Sequence, residues 1–390
     1  MLDVRADPPD GNLTRRHRLG VIACAAGLLL TACKGATTAP TTSSGACASS
    51  APGGVLGGDC NTRTPPLRVT GAGANSIQPF YTQVFYYYHQ ANAGVSVDYS
   101  PVGSSVGVTD IQQNTVQFGQ SEIPIASPAT GTAGTILQIP VDLGGVAISY
   151  NIPGIGTGLK LDGPTLAGIY TGTITNWDDA AIAALNGGTK LPHLGIVAVH
   201  RADSSGPGYD LDQYLIATGG TAWTSKAGTK AATRWPVASI GVGQQLNTGV
   251  ASYVQQTQGA IGYVEYAFAL KSKFNNVALK NASGAFVAPT LDAIAAGAQA
   301  SNLSASNFNI VNGGGAAAYP LANFSWALLY QKQASNDLGI VLGKLFDWVT
   351  TTGQKQATPL GYAPMPANAV TLAHTTLLSL QTSSGQPLFS

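Results

Sequence analysis

Charge is scarce in this sequence. Only 9% of its 390 residues are Asp, Glu, Lys or Arg, where about a quarter is usual, and 19 basic residues nearly cancel 18 acidic ones. A grip on a nucleic-acid backbone needs a basic surface, so nucleic acid is excluded as a partner. Metal chemistry is equally poorly provided for. The five histidines stand at 17, 89, 193, 200 and 374, and none has zinc-ligand spacing to another His or to one of the four cysteines. No metal and no cofactor is expected. A permanent membrane span is also missing, because the unbroken small and apolar run from Leu19 to Ala32 is too short for one. What the chain does have is 44% apolar residues, 48 Gly and 22 Pro. That suffices for one large domain or two ordinary ones, built from short elements joined by tight turns.

The N-terminus reads as an address. Arg15, Arg16 and Arg18 precede the apolar run, the layout of an export signal over residues 1–32. The paired Arg15 and Arg16 leave a twin-arginine route open beside the ordinary one. The run ends in Leu30-Thr31-Ala32-Cys33, similar to the lipobox at which bacterial lipoproteins are cut before an acylated cysteine; Cys33 is then a lipid anchor and the protein sits in the cell envelope. Residues 33–66 are almost entirely Ala, Thr, Ser, Gly and Pro and bury too little apolar surface to fold alone, so they form a tether. Within it, Cys47 and Cys60 either pair, closing a loop of about a dozen residues, or remain free thiols.

The folded part begins near Leu67. Leu67-Arg68-Val69-Thr70 before Gly71-Ala72-Gly73-Ala74 reads as a short strand meeting a glycine turn. Ile77, Phe80, Tyr81, Val84 and Tyr88 then recur at helical spacing, with Pro79 in the first turn, and Tyr86, Tyr87 and Tyr88 divide between core and solvent. Val95 to Tyr99 alternates as a strand, Gly103-Ser104-Ser105 turns, Val106 to Gln113 is helical, and Val116 to Phe118 is a strand again. This rhythm predicts an α/β fold with parallel pairing and functional turns at the carboxyl ends of strands. Val141 to Tyr150 reads as one long apolar strand, interrupted by Gly144 and Gly145, that leaves one domain and enters another.

Several turns are candidates for chemistry. Gly71-x-Gly73 has Ser76 where a dinucleotide fingerprint needs its third glycine. Gly103-Ser104-Ser105-Val106-Gly107 matches a nucleophile elbow, with Ser105 as the esterase nucleophile, yet neither His200 nor His374 stands in a triad context. The third turn, Arg201 to Gly208, opens an amphipathic helix with Pro207 at its start. Serines and glycines at a helix N-terminus leave backbone N–H groups free at the positive end of the macrodipole. One such turn is ordinary capping. Three together, at Asn75-Ser76, Ser104-Ser105 and Ser204-Ser205-Gly206, with Arg201 supplying a charged fork, describe a box for a small tetrahedral oxyanion.

These residues also carry a family resemblance. Thr70-Gly71-Ala72-Gly73-Ala74, Val102-Gly103-Ser104-Ser105, Val116 through Glu122, Tyr150-Asn151-Ile152-Pro153-Gly154, Leu161-Asp162-Gly163 through Leu185-Asn186, His200-Arg201-Ala202-Asp203, Gln258 through Ala267 and the Trp348 to Pro366 region resemble, in order, the substrate-binding lipoproteins of phosphate-specific (Pst) ABC importers. The resemblance covers about residues 67 to 375. It implies a two-lobed α/β fold of the type II periplasmic-binding-protein kind, with a two-strand hinge and the ligand cleft between lobes 67–149 plus 325–390 and 150–324. It implies a non-enzymatic monomer that binds inorganic phosphate and delivers it to the membrane permease subunits of an ABC importer. The anion contacts carry over to Asn75, Ser76, Ser104, Glu122, Arg201, Ser205, Gly206 and Pro207, and Asp203 becomes the carboxylate that orients Arg201. The family usually has Thr or Ser then Phe at 75–76, Asp at 122 and Thr at 207. Glu122 keeps the charge but reaches one methylene further, and Pro207 removes two donors. A binding protein or sensor for a related oxyanion, without a transport partner, is the alternative.

Overall fold

The computed structural model describes residue 56 and residues 66–125, 128–301, 303 and 309–389. The export signal, Cys33, Cys47, Cys60 and nearly all of the tether lie outside these residues. Leu56 is the exception. It is half-buried, and its backbone N–H donates to Asp347 Oδ2 at 2.8 Å.

Eight strands carry the architecture: β1 (Leu67–Gly73), β2 (Val95–Ser100), β3 (Phe118–Ser121), β4 (Gly134–Tyr150), β5 (Val197–Arg201), β6 (Val242–Gln244), β7 (Ala260–Glu265) and β8 (Ala322–Tyr330). They line up as β2-β1-β3-β8-β4-β7-β5-β6 in one sheet, and two short strands add to β4. Pairing is parallel at both ends, β2 with β1 with β3 and β7 with β5 with β6. It is antiparallel in the middle, where β8 lies between β3 and β4, and β4 lies beside β7. The sheet is thus mixed, whereas the strand-turn-helix rhythm predicted parallel pairing only. β4 and β8 enter the central region from opposite ends of the chain, so no crossover helix forces them parallel.

Local chemistry accounts for most element boundaries. β1 continues through Gly73 and does not turn at Gly71, because its glycines admit close neighbours: a Cβ on Gly71 would overlap the Phe118 ring and one on Gly73 the Gln120 carbonyl. Helix α1 (Gln78–Ala91) carries Pro79 in its first turn and buries Phe80, Tyr81, Val84, Phe85 and Tyr88, while Tyr86 and Tyr87 face solvent. Helix α2 (Ser104–Gln112) starts directly at the serines because Gly103, at φ 102°, makes the reversal that other residues resist. Strand β3 begins at Phe118, two residues later than the apolar run suggested.

Strand β4 starts at Gly134, seven residues before the predicted Val141, and is not broken at Gly144 and Gly145. Those glycines leave room for the Glu265 carboxyl and the Ile294 side chain. Its Pro140 lies at the register shift opposite Ser325 and Trp326, a bulge where a ladder N–H is dispensable. Between Gly145 and Val146, β4 exchanges β8 for β7 as its hydrogen-bonded neighbour. Helices α3 (Gly206–Thr218) and α4 (Leu246–Gln256) cover the β5 side. Helices α5 (Asn336–Thr350) and α6 (Ala367–Leu378) return to the α1 side, where Leu342, Leu345, Phe346, Ala373 and Leu377 join the α1 aromatics in one core.

Candidate functional site

The residues singled out from the sequence converge where parallel strands end. Asn75 and Ser76 follow β1, Ser104 follows β2, Glu122 follows β3, Arg201 ends β5, and Ser205 to Pro207 open α3. All are buried, with Arg201 at 2% exposure and Glu122 at 4%. Strand ends in an open α/β sheet present their loops to one crevice.

Arg201 is held on one edge. Its Nε donates to Asp203 Oδ1 at 2.7 Å and its Nη2 to Asp203 Oδ2, so a bidentate pair fixes the guanidinium plane and leaves the remaining N–H groups free. Burial pushes the Asp203 carboxyl up, but the Arg201 bonds and charge outweigh it and hold the pKa below the usual carboxylate range. Asp203 also accepts from the Leu246 N–H at 3.1 Å, which ties the fork to the start of α4.

The serines are set as donors. Gly208 N–H donates to Ser205 Oγ at 3.0 Å, an N-cap bond that uses the hydroxyl as acceptor and leaves its proton available. Ser104 Oγ accepts from Glu122 N–H at 3.3 Å and keeps its own proton likewise. Pro207, in the first turn of α3, contributes no N–H. Asn75 bridges two helix starts: Nδ2 donates to Gln78 Oε1 at 3.2 Å and Oδ1 accepts from Asn247 N–H at 3.1 Å. Ser76 Oγ has no well-formed hydrogen bond, yet lies near enough to Glu122 to hold that carboxyl down.

Glu122 closes the arrangement. A Cβ on Gly206 would overlap both Glu122 Cβ and Oε2, so the carboxyl lies directly over the N-terminal glycine of α3. Burial raises its pKa to about 7, against the opposing pull of Ser76, Arg201 and Asn323. Nearby, Ser105 Oγ pairs with Ser204 Oγ, and Ser204 Oγ donates to the Thr233 carbonyl at 2.8 Å. This partner is not a histidine. His200 stacks on Trp235 and His374 faces Asp347, so the elbow motif is not completed as a triad.

Sequence reasoning missed the acids around Glu122. Asp210 on α3, Asp142 on β4 and Glu265 on β7 are all buried, and burial raises each, Asp142 to about 7 and the other two well above the usual range. Asn323 on β8 donates to Asp210 Oδ2 at 2.9 Å and to Glu122 Oε1 at 3.3 Å. In a chain so poor in charge, acids inside apolar strands and on the inner face of α3 were the available signal. Among the described residues no group of His, Cys, Asp or Glu has the arrangement of a metal site.

Buried hydroxyls and one fixed guanidinium gathered at strand ends suit a substrate-binding protein on the type II periplasmic-binding-protein fold, and the PBP superfamily domain model matches residues 36–351. The chain is 38% identical over 323 residues to the phosphate-binding protein PstS of Xylella fastidiosa (strain 9a5c), spanning 80% of this chain and 87% of that one. It is 35% identical over 311 residues to the PstS of Pasteurella multocida, spanning 79% and 89%. The solved phosphate-binding protein of Stenotrophomonas maltophilia shares the fold at TM-score 0.59 and 18% identity, over 79% of this chain and 93% of that one. The chain belongs to the PstS family of substrate-binding proteins.

Proposed function

We propose that the protein binds inorganic phosphate outside the cytoplasm and delivers it to the permease subunits of an ABC importer. The observation that carries this is the pairing of opposites in one buried site: the Arg201 fork, fixed by Asp203, opposite a carboxyl on Glu122. A planar guanidinium with the Ser104 and Ser205 hydroxyls satisfies the oxygens of a tetrahedral anion. A carboxylate accepts a hydrogen bond from an anion that still carries a proton, as phosphate does near neutral pH, and repels one with none, as sulfate.

The lobes in this reading are 67–149 plus 325–390 and 150–324. The change of β4 neighbours at Gly145–Val146 supports a boundary within a few residues of that division. Contacts of Ser105 with Ser204, Glu122 with Gly206 and Asn75 with Asn247 then join the lobes around the anion, and permease subunits recognise the closed surface. No bond is made or broken, in keeping with a family of binding proteins. The protein acts as a monomer, lipid-anchored through Cys33, and no helix among the described residues is long and apolar enough to cross a membrane.

Titration calorimetry with phosphate, arsenate and sulfate at pH 8 tests the reading. Phosphate is expected to bind tightly and sulfate not at all. Sulfate bound as tightly as phosphate would overturn it.

A further inference from the structure

Behind Glu122 lies a polar chain that the anion contacts do not account for. Asn323 on β8 donates from one amide nitrogen to two carboxyls on different elements, Glu122 at the end of β3 and Asp210 on α3. The Asp210 side chain lies on the buried face of α3 beside Leu211, Tyr214 and Leu215, a place where an apolar residue would pack without the penalty of a buried acid. A cavity of about 10 Å³, lined by Glu122, Asp210, Asn309 and Asn323 among others, adjoins the groups and has room for about one water.

The two Glu122 oxygens are differently engaged. Oε1 is the acceptor for Asn323, and Oε2 is the oxygen over Gly206, at the mouth of the α3 N-terminus. Glu has one more rotatable bond than Asp, so an unclamped Glu122 can swing its carboxyl away from the anion. With Oε1 tied, only Oε2 is presented. Asn323 in turn needs a second acceptor to fix its amide plane, and Asp210 Oδ2 supplies it at the shorter distance.

We propose that Asn323 and Asp210 are positioning residues for Glu122: Asn323 clamps Oε1 so that Oε2 faces the bound oxyanion, Asp210 holds the Asn323 amide, and together they set discrimination between protonated and fully deprotonated oxyanions. This rests on the phosphate-binding reading above. The clamp replaces reach with orientation, which is how a longer acid serves in a site where a shorter one would be held by its own stiffness.

The test measures affinities for inorganic phosphate and for sulfate, with melting temperatures, at pH 8 in the wild type and in Asn323→Leu, Asp210→Leu and Asp210→Asn. Asn323→Leu is expected to lower the phosphate-to-sulfate affinity ratio by about tenfold or more, the worth of one hydrogen bond to a charged group. Asp210→Leu is expected to lower the ratio similarly while melting no lower than wild type, since it removes a buried acid. Asp210→Asn keeps an oxygen acceptor for Asn323 and should stay within about threefold of the wild-type ratio. If Asn323→Leu fails to fold, the two Asp210 variants decide. Ratios unchanged in the Leu variants, or Asp210→Asn falling as far as Asp210→Leu, would overturn the proposal. A wild type that binds neither anion would overturn the phosphate reading itself, and the proposal with it.

Discussion

At the scale of single residues, the buried acids give the protein an unusual response to pH. Burial raises Glu122 and Asp142 to about 7 and holds Asp210 and Glu265 well above the usual carboxylate range. For Glu122 and Asp142 the folded chain therefore keeps protons that the unfolded chain loses near pH 4, so the stability they contribute is full below about pH 4 and is lost as pH rises to about 7; Asp210 and Glu265 act in the same direction. Asp203, lowered by Arg201, works in the opposite sense, and its contribution is lost only in stronger acid. The ligand-free protein should melt higher at pH 5.5 than at pH 8, and Asp142→Asn should shrink the difference; calorimetric melts at both pH values check this. Selectivity follows the same proton. Below about 7 Glu122 becomes neutral and turns from acceptor to donor, so sulfate should begin to compete with phosphate at pH 5.5 and not at pH 8, as a displacement titration would reveal. At Arg201 the shape of the cation matters as much as its charge. Arg201→Lys keeps the charge but loses the fork that Asp203 orients, and phosphate affinity should fall by roughly a hundredfold in a binding titration.

At the scale of elements, the proposed anion box depends on helix starts pressed against strands. Ser205 is the N-cap of α3 and, in the proposed reading, also a donor to the anion. Ser205→Ala should cost about 1 kcal/mol of stability in a denaturant titration and weaken phosphate binding as well. Gly107 on α2 lies against β1 so closely that a Cβ would come within 2.5 Å of the Ala72 carbonyl oxygen. The helix starts were legible because Pro79, Pro207 and the serines mark them in any context. Strand limits were less so. Gly71 and Gly73 looked like a turn and Gly144 and Gly145 like an interruption of a strand, and the structure uses all four to let another chain segment approach a strand that continues.

For the whole molecule, the site exists only where distant parts of the chain meet. Arg201 and Asp203 stand two apart and Ser104 and Ser105 are adjacent, so those pairings were within reach of local reading. The contacts of Glu122 with Gly206 and of Asn323 with both Glu122 and Asp210 join segments separated by 84 or more positions in sequence, the nearest being Glu122 and Gly206. No local pattern encodes such meetings. Ser105→Ala should leave the equilibrium affinity for phosphate within about threefold in a binding titration, since Ser105 joins Ser204 and not the fork. By itself, then, the sequence determined the family and marked the helix starts and the Arg201–Asp203 pair, because these reside in short runs of particular side chains. The tertiary structure alone decided the mixed pairing at the centre of the sheet and the company Glu122 keeps, because burial and the approach of remote carboxyls arise only when the strands carrying them are packed side by side.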